Sequence, residues 1–265
     1  MPFGYLAGTK DIWCRDYMPV QIDKERLVSY NYTPDYLRRH LRLQTDPEIV
    51  LQVELNELLQ VLPTSRKASV AFDGLHPIPV MKPVVETTKI DIVMDGGNVV
   101  KCGDVVVMTE KVFAENKDKS RLEVEEVLRD AFQCDILFLP WDRKEYLGHS
   151  DGIVHYAGDG QVLLTNYNDF SPYFYRRFQK ALEERFEVIP LQYKVKRKHA
   201  RSWAYINYLQ VGNLVLVPQL GTEEDEQALV QIGKAMPDCE VVGIPALEAV
   251  RKGGALNCIS WNIQK

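Results

Sequence analysis

Residues 99–139, VVKCGDVVVMTEKVFAENKDKSRLEVEEVLRDAFQCDILFL, contain a complete supersecondary unit. The apolar runs 99–102 and 105–108 flank a Gly-Asp turn sequence, which predicts a hairpin. A helical periodicity follows from Ser120, a predicted N-cap, to Phe132, and the apolar run 136–139 comes after it. The stretch therefore predicts the order strand, strand, helix, strand, a ββαβ unit.

The same order recurs in the next segment of the chain. Residues 153–156 and 161–164 flank a Gly-Asp-Gly turn and predict a second hairpin. Ser171 is a predicted helix cap with Pro172 in the first turn, and residues 186–189 predict the strand that follows the helix. This segment is a second ββαβ unit.

A third copy follows directly. Strands are predicted over residues 205–210 and 214–217, on either side of a Gly-Asn turn. Thr222 is the predicted cap of a helix that ends before Pro237, and residues 240–244 predict the last strand. The predicted caps at 120, 171 and 222 are each 51 residues apart. A fixed period of this kind indicates a quasi-symmetric ring of repeated units.

The ends of the chain are less regular. A fourth copy extends from Val20 to a helix that begins near Asp46, and residues 259–263 are predicted as a lone closing strand. A ring of five units would need a helix and a strand before Asp11, so we expect an incomplete N-terminal unit whose strand edge a second copy of the chain could cover, as a homodimer. Because no linker divides the sequence, residues 1–265 are expected to form a single α/β domain.

Composition narrows the range of partners. The 265 residues include 32 Lys+Arg and 37 Asp+Glu, a formal net charge of -5, which argues against a nucleic-acid partner. No apolar stretch is long enough to span a membrane, and the N-terminus lacks the features of a signal peptide. We therefore expect a soluble, cytoplasmic protein with no membrane partner.

The cysteines indicate free thiols. There are five, with no Cys-x-x-Cys spacing: Cys14, Cys102, Cys134, Cys239 and Cys258. An odd number without paired spacing favours neither a disulfide framework nor a zinc site.

Polar residues with catalytic potential lie at the boundaries between units. They form four motifs: Trp13-Cys-Arg-Asp16, Asp95-Gly-Gly-Asn98, Gly148-His-Ser-Asp151 and Gly253-Gly-Ala-Leu-Asn-Cys258. Equivalent boundaries of a ring converge on its axis. A thiol, an imidazole and three carboxylates converging there would suit nucleophilic attack on a cationic carbon.

Each motif also has a structural interpretation when taken alone. Trp13 could be core packing, and the glycines of residues 96–97 could serve only a turn. Cys258 could be a buried, inert cysteine, and His149 could lie on an exposed loop. The sequence alone leaves these alternatives open.

Together, the four motifs and Val215-Leu-Val-Pro-Gln219 resemble the guanidine-modifying, or pentein, superfamily. The resemblance is to the family of agmatine deiminases and Porphyromonas-type peptidylarginine deiminases, and it covers most of the chain in the family's motif order. It implies a five-bladed α/β propeller of ββαβ units, in agreement with the 51-residue period.

The resemblance also implies residue roles. Cys258 would be the nucleophile, His149 the general acid and base, and Asp95 the residue that orients His149. The substrate guanidinium would be gripped by the carboxylates of Asp16 and Asp151. Trp13 would form a wall of the site, and no metal or cofactor would be needed.

The implied activity is hydrolysis of a guanidinium C–N bond in agmatine, arginine or peptidylarginine. The sequence departs from the family at Asn257, where His is common, and at Asp95, where Glu is frequent. A catalytically silent pentein that binds guanidino compounds or acts as an assembly subunit is therefore the alternative. An amidinotransferase, which would pass the same intermediate to an amine, is another.

Overall fold

The described part of the chain folds into an α/β structure of four small mixed sheets. The computed structural model describes residues 8–47, 86–145 and 147–263. The strands are β1 (Val20–Gln21), β2 (Arg26–Asn31), β3 (Glu86–Val93), β4 (Val100–Cys102), β5 (Val105–Thr109), β6 (Asp135–Leu139), β7 (Val154–Gly158), β8 (Gln161–Leu164), β9 (Glu187–Pro190), β10 (Leu209–Val211), β11 (Leu214–Gln219) and β12 (Glu240–Pro245). The helices are α1 (Cys14–Tyr17), α2 (Lys111–Glu115), α3 (Arg121–Phe132), α4 (Pro172–Leu182), α5 (Glu224–Ala235) and α6 (Leu247–Arg251).

Every sheet repeats one topology. Its central strand is antiparallel to the strand before it and parallel to the strand after it: β1-β2-β3, β4-β5-β6, β7-β8-β9 and β10-β11-β12. The antiparallel pair needs only a tight turn, whereas the parallel pair needs a crossover, which a helix supplies in the last three sheets. The ββαβ order predicted for these three units is therefore confirmed.

Local sequence determines where two of the crossover helices begin. Ser120 caps α3 in a capping box with Glu123: the Ser120 hydroxyl accepts from the Glu123 backbone N–H, and the Glu123 carboxylate accepts from the Ser120 backbone N–H. Ser171 caps α4 through the backbone N–H of Phe174, with Pro172 at the first position. Both predicted caps are confirmed.

The core consists of clusters that lie between neighbouring units. Helix α3 buries Val124 and Leu128 against Ile92 of the preceding sheet and Ile136 of its own. Helix α4 repeats this arrangement with the sheet before it and its own sheet, burying Phe178 in a second cluster. Each unit thus completes the core of its neighbour, which explains why the chain is built as a repeat.

The predicted strand over residues 205–210 is mostly wrong. Ser202–Ile206 form a 3-10 turn, and β10 begins only at Leu209, which pairs with Leu216. The physical reason is Asn207, whose backbone and side chain bond to the loop at residues 255–258 and therefore do not belong to the strand ladder.

The predicted cap Thr222 is also wrong. Helix α5 begins at Glu224, and its N-cap, Glu223, makes no side-chain capping bond. The carboxylate of Asp225 reaches back instead and accepts from the backbone N–H groups of Leu220 and Gly221 at 2.9 and 2.8 Å. An acidic residue in the first turn therefore fixes the loop that leads into the helix.

The predicted closing strand at residues 259–263 is absent from the described structure, where these residues form turns and irregular backbone. Side chains tie the segment down instead. The Trp261 indole donates to the Pro19 carbonyl at 2.8 Å, and the Asn262 amide donates to the Gln210 carbonyl at 2.8 Å. The C-terminal segment therefore joins the first and last sheets without a strand ladder. The fourth predicted helix, near Asp46, falls outside the described residues.

Short turns bring the unit boundaries together. The 3-10 turns Gly96–Asn98, Ser150–Gly152 and Ser202–Ile206 each contact the next, and α1 contacts the first of them. The four sheets consequently present their boundary motifs to a common centre. None of the described helices combines the length and apolar character that a membrane span requires.

Candidate active site

His149 lies between two carboxylates. Its Nε2 is 3.0 Å from Asp95 Oδ2, and its Nδ1 is 3.7 Å from Asp16 Oδ1. All three side chains are buried. They come from three different unit boundaries, so the contact exists only because the turns converge. A buried imidazole held in this way can carry and move a proton at the centre of the fold.

Asp16 is fixed by donors on both oxygens. Oδ1 accepts from the Gly97 backbone N–H at 3.0 Å, and Oδ2 accepts from the Tyr36 hydroxyl at 2.7 Å. Because each carboxylate oxygen has two acceptor positions, Asp16 retains capacity for a further donor. Gly97 is needed here, since a methyl at its Cα would lie 2.6 Å from His149 Nδ1 and 2.7 Å from Asp16 Oδ1.

The loop that carries Cys258 is anchored by Asn207. The Asn207 amide oxygen accepts from the backbone N–H groups of Ala255 and Cys258 at 3.2 and 3.3 Å, and its amide nitrogen donates to the Asp151 carbonyl at 3.3 Å. The Cys258 carbonyl in turn accepts from the Arg15 backbone N–H at 3.1 Å. One buried amide thus joins the Cys258 loop to the Asp151 turn.

Asp151 faces the thiol. Its Oδ2 lies 3.7 Å from Cys258 Sγ and accepts from the Asn257 amide at 2.8 Å. Asn257 is itself held by the Arg15 guanidinium, which donates to its side-chain oxygen at 3.1 Å. The residue before the cysteine therefore positions the carboxylate next to the sulfur.

The carboxylates decide the protonation of His149. Burial alone would lower the pKa of the imidazole, but Asp16, Asp95 and Asp151 together raise it to about 10. His149 is therefore an imidazolium at neutral pH. Burial raises the pKa of Asp16 to about 6, against the opposing effect of His149.

The thiol is protonated in the free protein. Burial, followed by the charges of Asp151 and Asp16, raises the pKa of Cys258 well above its ordinary value. The same negative charges favour a bound cation. The site is therefore suited to a positive ligand whose arrival would offset the carboxylates and make the thiolate accessible.

Asp95 is held from its other side by a lysine. Burial would raise the pKa of Asp95, but His149 and Lys111 keep it below its ordinary value. Asp35, Asp95 and Glu115 offer carboxylate oxygens within 4.8 Å of one another, a spacing that could hold a cation. The Lys111 ammonium contacts all three carboxylates and so supplies that charge itself.

The remaining predicted residue, Trp13, packs against the cysteine loop. A methyl on Gly254 would lie 2.4 Å from the Trp13 ring and 2.9 Å from Cys258 Cβ. His149, Asp151 and Cys258 line a cavity of about 700 Å³. Its other walls are rich in aromatic side chains: Trp141, Tyr167, Phe170, Tyr173, Phe174 and Trp203. Of the six predicted residues, His149, Asp151 and Cys258 thus lie on the cavity wall, while Asp16 and Asp95 contact His149 and Trp13 packs beside Cys258.

Sequence reasoning missed three residues that build this centre: Asn207, Tyr36 and Lys111. Asn207 had a usable signal, because a single amide in the apolar run 204–208 must find hydrogen-bond partners when buried. Tyr36 and Lys111 had none. Their partners are 20 and 16 residues away in sequence, and only the fold brings them into contact.

The repeated three-stranded α/β sheets around a common centre have the pentein fold. Residues 5–263 match the sequence model of the Porphyromonas-type peptidyl-arginine deiminase family, and the chain belongs to this family.

Two solved structures share the fold. The agmatine deiminase of Enterococcus faecalis aligns with a TM-score of 0.69 and 21% identity, covering 93% of this chain and 73% of that chain. The agmatine deiminase of C. jejuni aligns with a TM-score of 0.65 and 17% identity, covering 93% and 70%.

Sequence relatives are distant. A Lactococcus lactis protein named "Putative agmatine deiminase" is 25% identical over 207 residues, which is 64% of this chain and 57% of the relative. The chain therefore spans less than two thirds of the length of the curated relatives it matches.

The contact at Gly97 leads to a stability prediction. Gly97→Ala should lower the free energy of unfolding by about 2 kcal/mol, because the methyl overpacks His149 and Asp16. Gly233→Ala in α5 is the matched control: its methyl would meet only Val241 at 3.8 Å, and alanine favours a helix, so stability should be unchanged or rise. Urea denaturation measures both. Equal stability of the two variants would contradict the close packing at Gly97.

Proposed function

We propose that this protein is a cysteine-dependent hydrolase that cleaves the guanidinium C–N bond of agmatine or a related arginine derivative. One observation carries the proposal: Cys258, Asp151 and His149 line one cavity, with the Cys258 sulfur 3.7 Å from the Asp151 carboxylate. As part of the proposal, residues 1–265 act as one catalytic domain, and the four described sheets are blades of a five-bladed pentein ring.

Charge and shape favour a guanidinium as the ligand. Its planar group presents paired N–H donors, which Asp151 and Asp16 would accept in charge-assisted hydrogen bonds. Asp151 lines the cavity, and the buried carboxylates of Asp16 and Asp95 flank His149. His149 and Lys111 compensate part of this negative charge, and a bound cation would compensate what remains. Two carboxylates holding the plane would leave its carbon opposite the thiol.

Binding of the cation also activates the nucleophile. Burial is the largest cause of the raised pKa of Cys258, and the charges of Asp151 and Asp16 raise it further. The bound guanidinium would offset these charges. The thiol can then lose its proton to water, and the thiolate attacks the guanidinium carbon to form a C–S bond. The substrate therefore supplies the charge that makes the thiolate reactive.

His149 would move the protons of both half-reactions. As an imidazolium it donates a proton to the departing nitrogen, the C–N bond breaks, and ammonia leaves an S-alkylthiouronium on Cys258. As a neutral imidazole it then takes a proton from water, whose oxygen attacks the same carbon. The C–S bond then breaks as the new hydroxyl group gives its proton to the departing sulfur, which releases the ureido product and restores the thiol.

Asp95 would orient the imidazole during these steps. Its side chain is one methylene shorter than the Glu frequent in the family, yet Oδ2 lies within hydrogen-bond distance of His149, at 3.0 Å. This contact favours the enzyme over a catalytically silent pentein. Hydrolysis differs from amidino transfer in its acceptor, which is water instead of an amine.

The rest of the cavity would bind the tail of the substrate, which is the part beyond its guanidinium group. A guanidinium fills only part of about 700 Å³, and the aromatic walls can contact an alkyl chain, an ammonium group or a peptide. Agmatine, arginine and peptidylarginine share the head group. Differences among them in kcat/KM would report recognition of the tail.

The proposal predicts products that can be measured directly. The wild-type protein should release equal amounts of ammonia and ureido product from at least one of agmatine, arginine and a peptidylarginine panel. Cys258→Ser should bind that substrate but turn it over at least 10³-fold more slowly, because sulfur is needed for bond formation. Cys239→Ser, which changes a cysteine outside the site, is the matched control.

Three other outcomes would each reject hydrolysis at Cys258. Binding without product by the wild type indicates the silent pentein. Product that appears only when an amine acceptor is added indicates an amidinotransferase. Unchanged turnover in Cys258→Ser excludes this sulfur as the nucleophile.

The raised pKa of Asp16 predicts how kcat/KM falls at acid pH. Its raised pKa of about 6 means that the carboxylate gains a proton, and loses its charge, as the pH falls through this value. The kcat/KM for a cationic guanidino substrate should therefore fall about tenfold per unit below pH ~6. Circular dichroism at each pH provides the control for folding. A flat profile between pH 5 and 7 would contradict a role for the Asp16 charge.

A further inference from the structure

Lys111 is a buried ammonium at the start of α2. Its side chain is 1% exposed, and Nζ bonds to three carboxylates: Glu115 at 2.8 Å, Asp95 at 3.0 Å and Asp35 at 3.3 Å. A buried charge is costly unless it is paired, and this one is paired three times. The roles proposed for the six predicted site residues make no use of this ammonium.

The ammonium shares an acceptor atom with His149. Asp95 Oδ2 lies 3.0 Å from Lys111 Nζ and 3.0 Å from His149 Nε2. Two cationic donors therefore fix the same carboxylate oxygen from two sides. An aspartate held by one donor could rotate about its side-chain bonds, whereas this oxygen is restrained by both contacts.

The surroundings of Lys111 also fix the ammonium. Glu115 is one helical turn after Lys111 on α2, and Asp35 approaches from the 3-10 turn Asp35–Leu37. Burial and Asp95 raise the pKa of Glu115 to about 7, and its Oε2 is buried with no hydrogen-bond partner among the described residues. Two further acidic groups, Glu115 and Asp35, thus hold the lysine against Asp95.

We propose that Lys111 is a positioning residue: its ammonium holds Asp95 so that the Nε2–H of His149 stays bonded to Oδ2 and Nδ1 stays directed toward Asp16. The catalytic consequence rests on the proposed function, since His149 moves protons only if that reaction takes place. The restraint on His149 is a property of the free protein. It can be measured without a substrate.

The test replaces the buried ion pair without changing net charge. Lys111→Met with Glu115→Gln removes the ammonium and one carboxylate at similar volume, a change that buried pairs often tolerate. Glu115→Gln alone is the matched control, because the ammonium remains on Asp95. Lys111→Gln, which keeps a neutral donor, serves if the double variant does not fold by circular dichroism.

The readout is exchange of the His149 Nε2 proton with water, measured by NMR on histidine-labelled free protein and assigned with His149→Ala. We expect a slowly exchanging Nε2 proton in the wild type and in Glu115→Gln. Exchange should be at least tenfold faster in the double variant or in Lys111→Gln. Rates within twofold of the control, or no such proton in the wild type, would overturn the proposal.

Kinetics separate this proposal from the proposed function. With an active substrate, the double variant should lose at least tenfold in kcat, with KM within threefold, because Asp16 and Asp151 still hold the guanidinium. If the wild type turns over no substrate but the His149 proton exchanges faster in the double variant, the positioning role of Lys111 is supported and the proposed hydrolase activity is rejected. If the wild type is active and the double variant has unchanged kcat and an unchanged exchange rate of the His149 proton, only the positioning role of Lys111 is rejected.

Discussion

The structure depends on keeping several buried carboxylates close together at its centre. Asp16, Asp95 and Asp151 come from different units and would repel one another without compensation. Compensation comes from His149 as an imidazolium, from Lys111 behind Asp95, and from neutral donors such as the Gly97 N–H. The net charge of the centre remains negative after this compensation, and this negative charge favours a guanidinium in the proposed reaction.

The repeat makes this arrangement possible. Each crossover helix packs between neighbouring sheets, so the units fix one another and their short boundary turns meet. Residues that are distant in sequence consequently become neighbours, as Cys258 and Asp151 do across 107 positions. No single unit contains a complete site, so the proposed chemistry would require several units folded together.

Much of the fold could be predicted because its signals are local. Turn glycines, the Ser120 and Ser171 caps and the spacing of apolar runs act within a few residues of the chain. The errors occur where tertiary contacts outweigh local preference. The helix predicted to begin after Thr222 begins at Glu224, with Asp225 bound to the preceding loop, and the Asn207 side chain binds the cysteine loop where a strand was predicted.

The predicted site residues could be grouped because they lie in short polar motifs at unit boundaries. The residues that hold these side chains in place could not be predicted from the sequence. Lys111 looks like a solvated helical lysine until the fold surrounds it with carboxylates, and Tyr36 reaches Asp16 only through tertiary structure. The central claim, that a guanidinium is held against the Cys258 thiol, can be tested by acid quench during turnover followed by peptide mass spectrometry. The peptide that carries Cys258 should gain the mass of the substrate minus ammonia. Turnover without any adduct on that peptide, or an adduct on another cysteine, would contradict it.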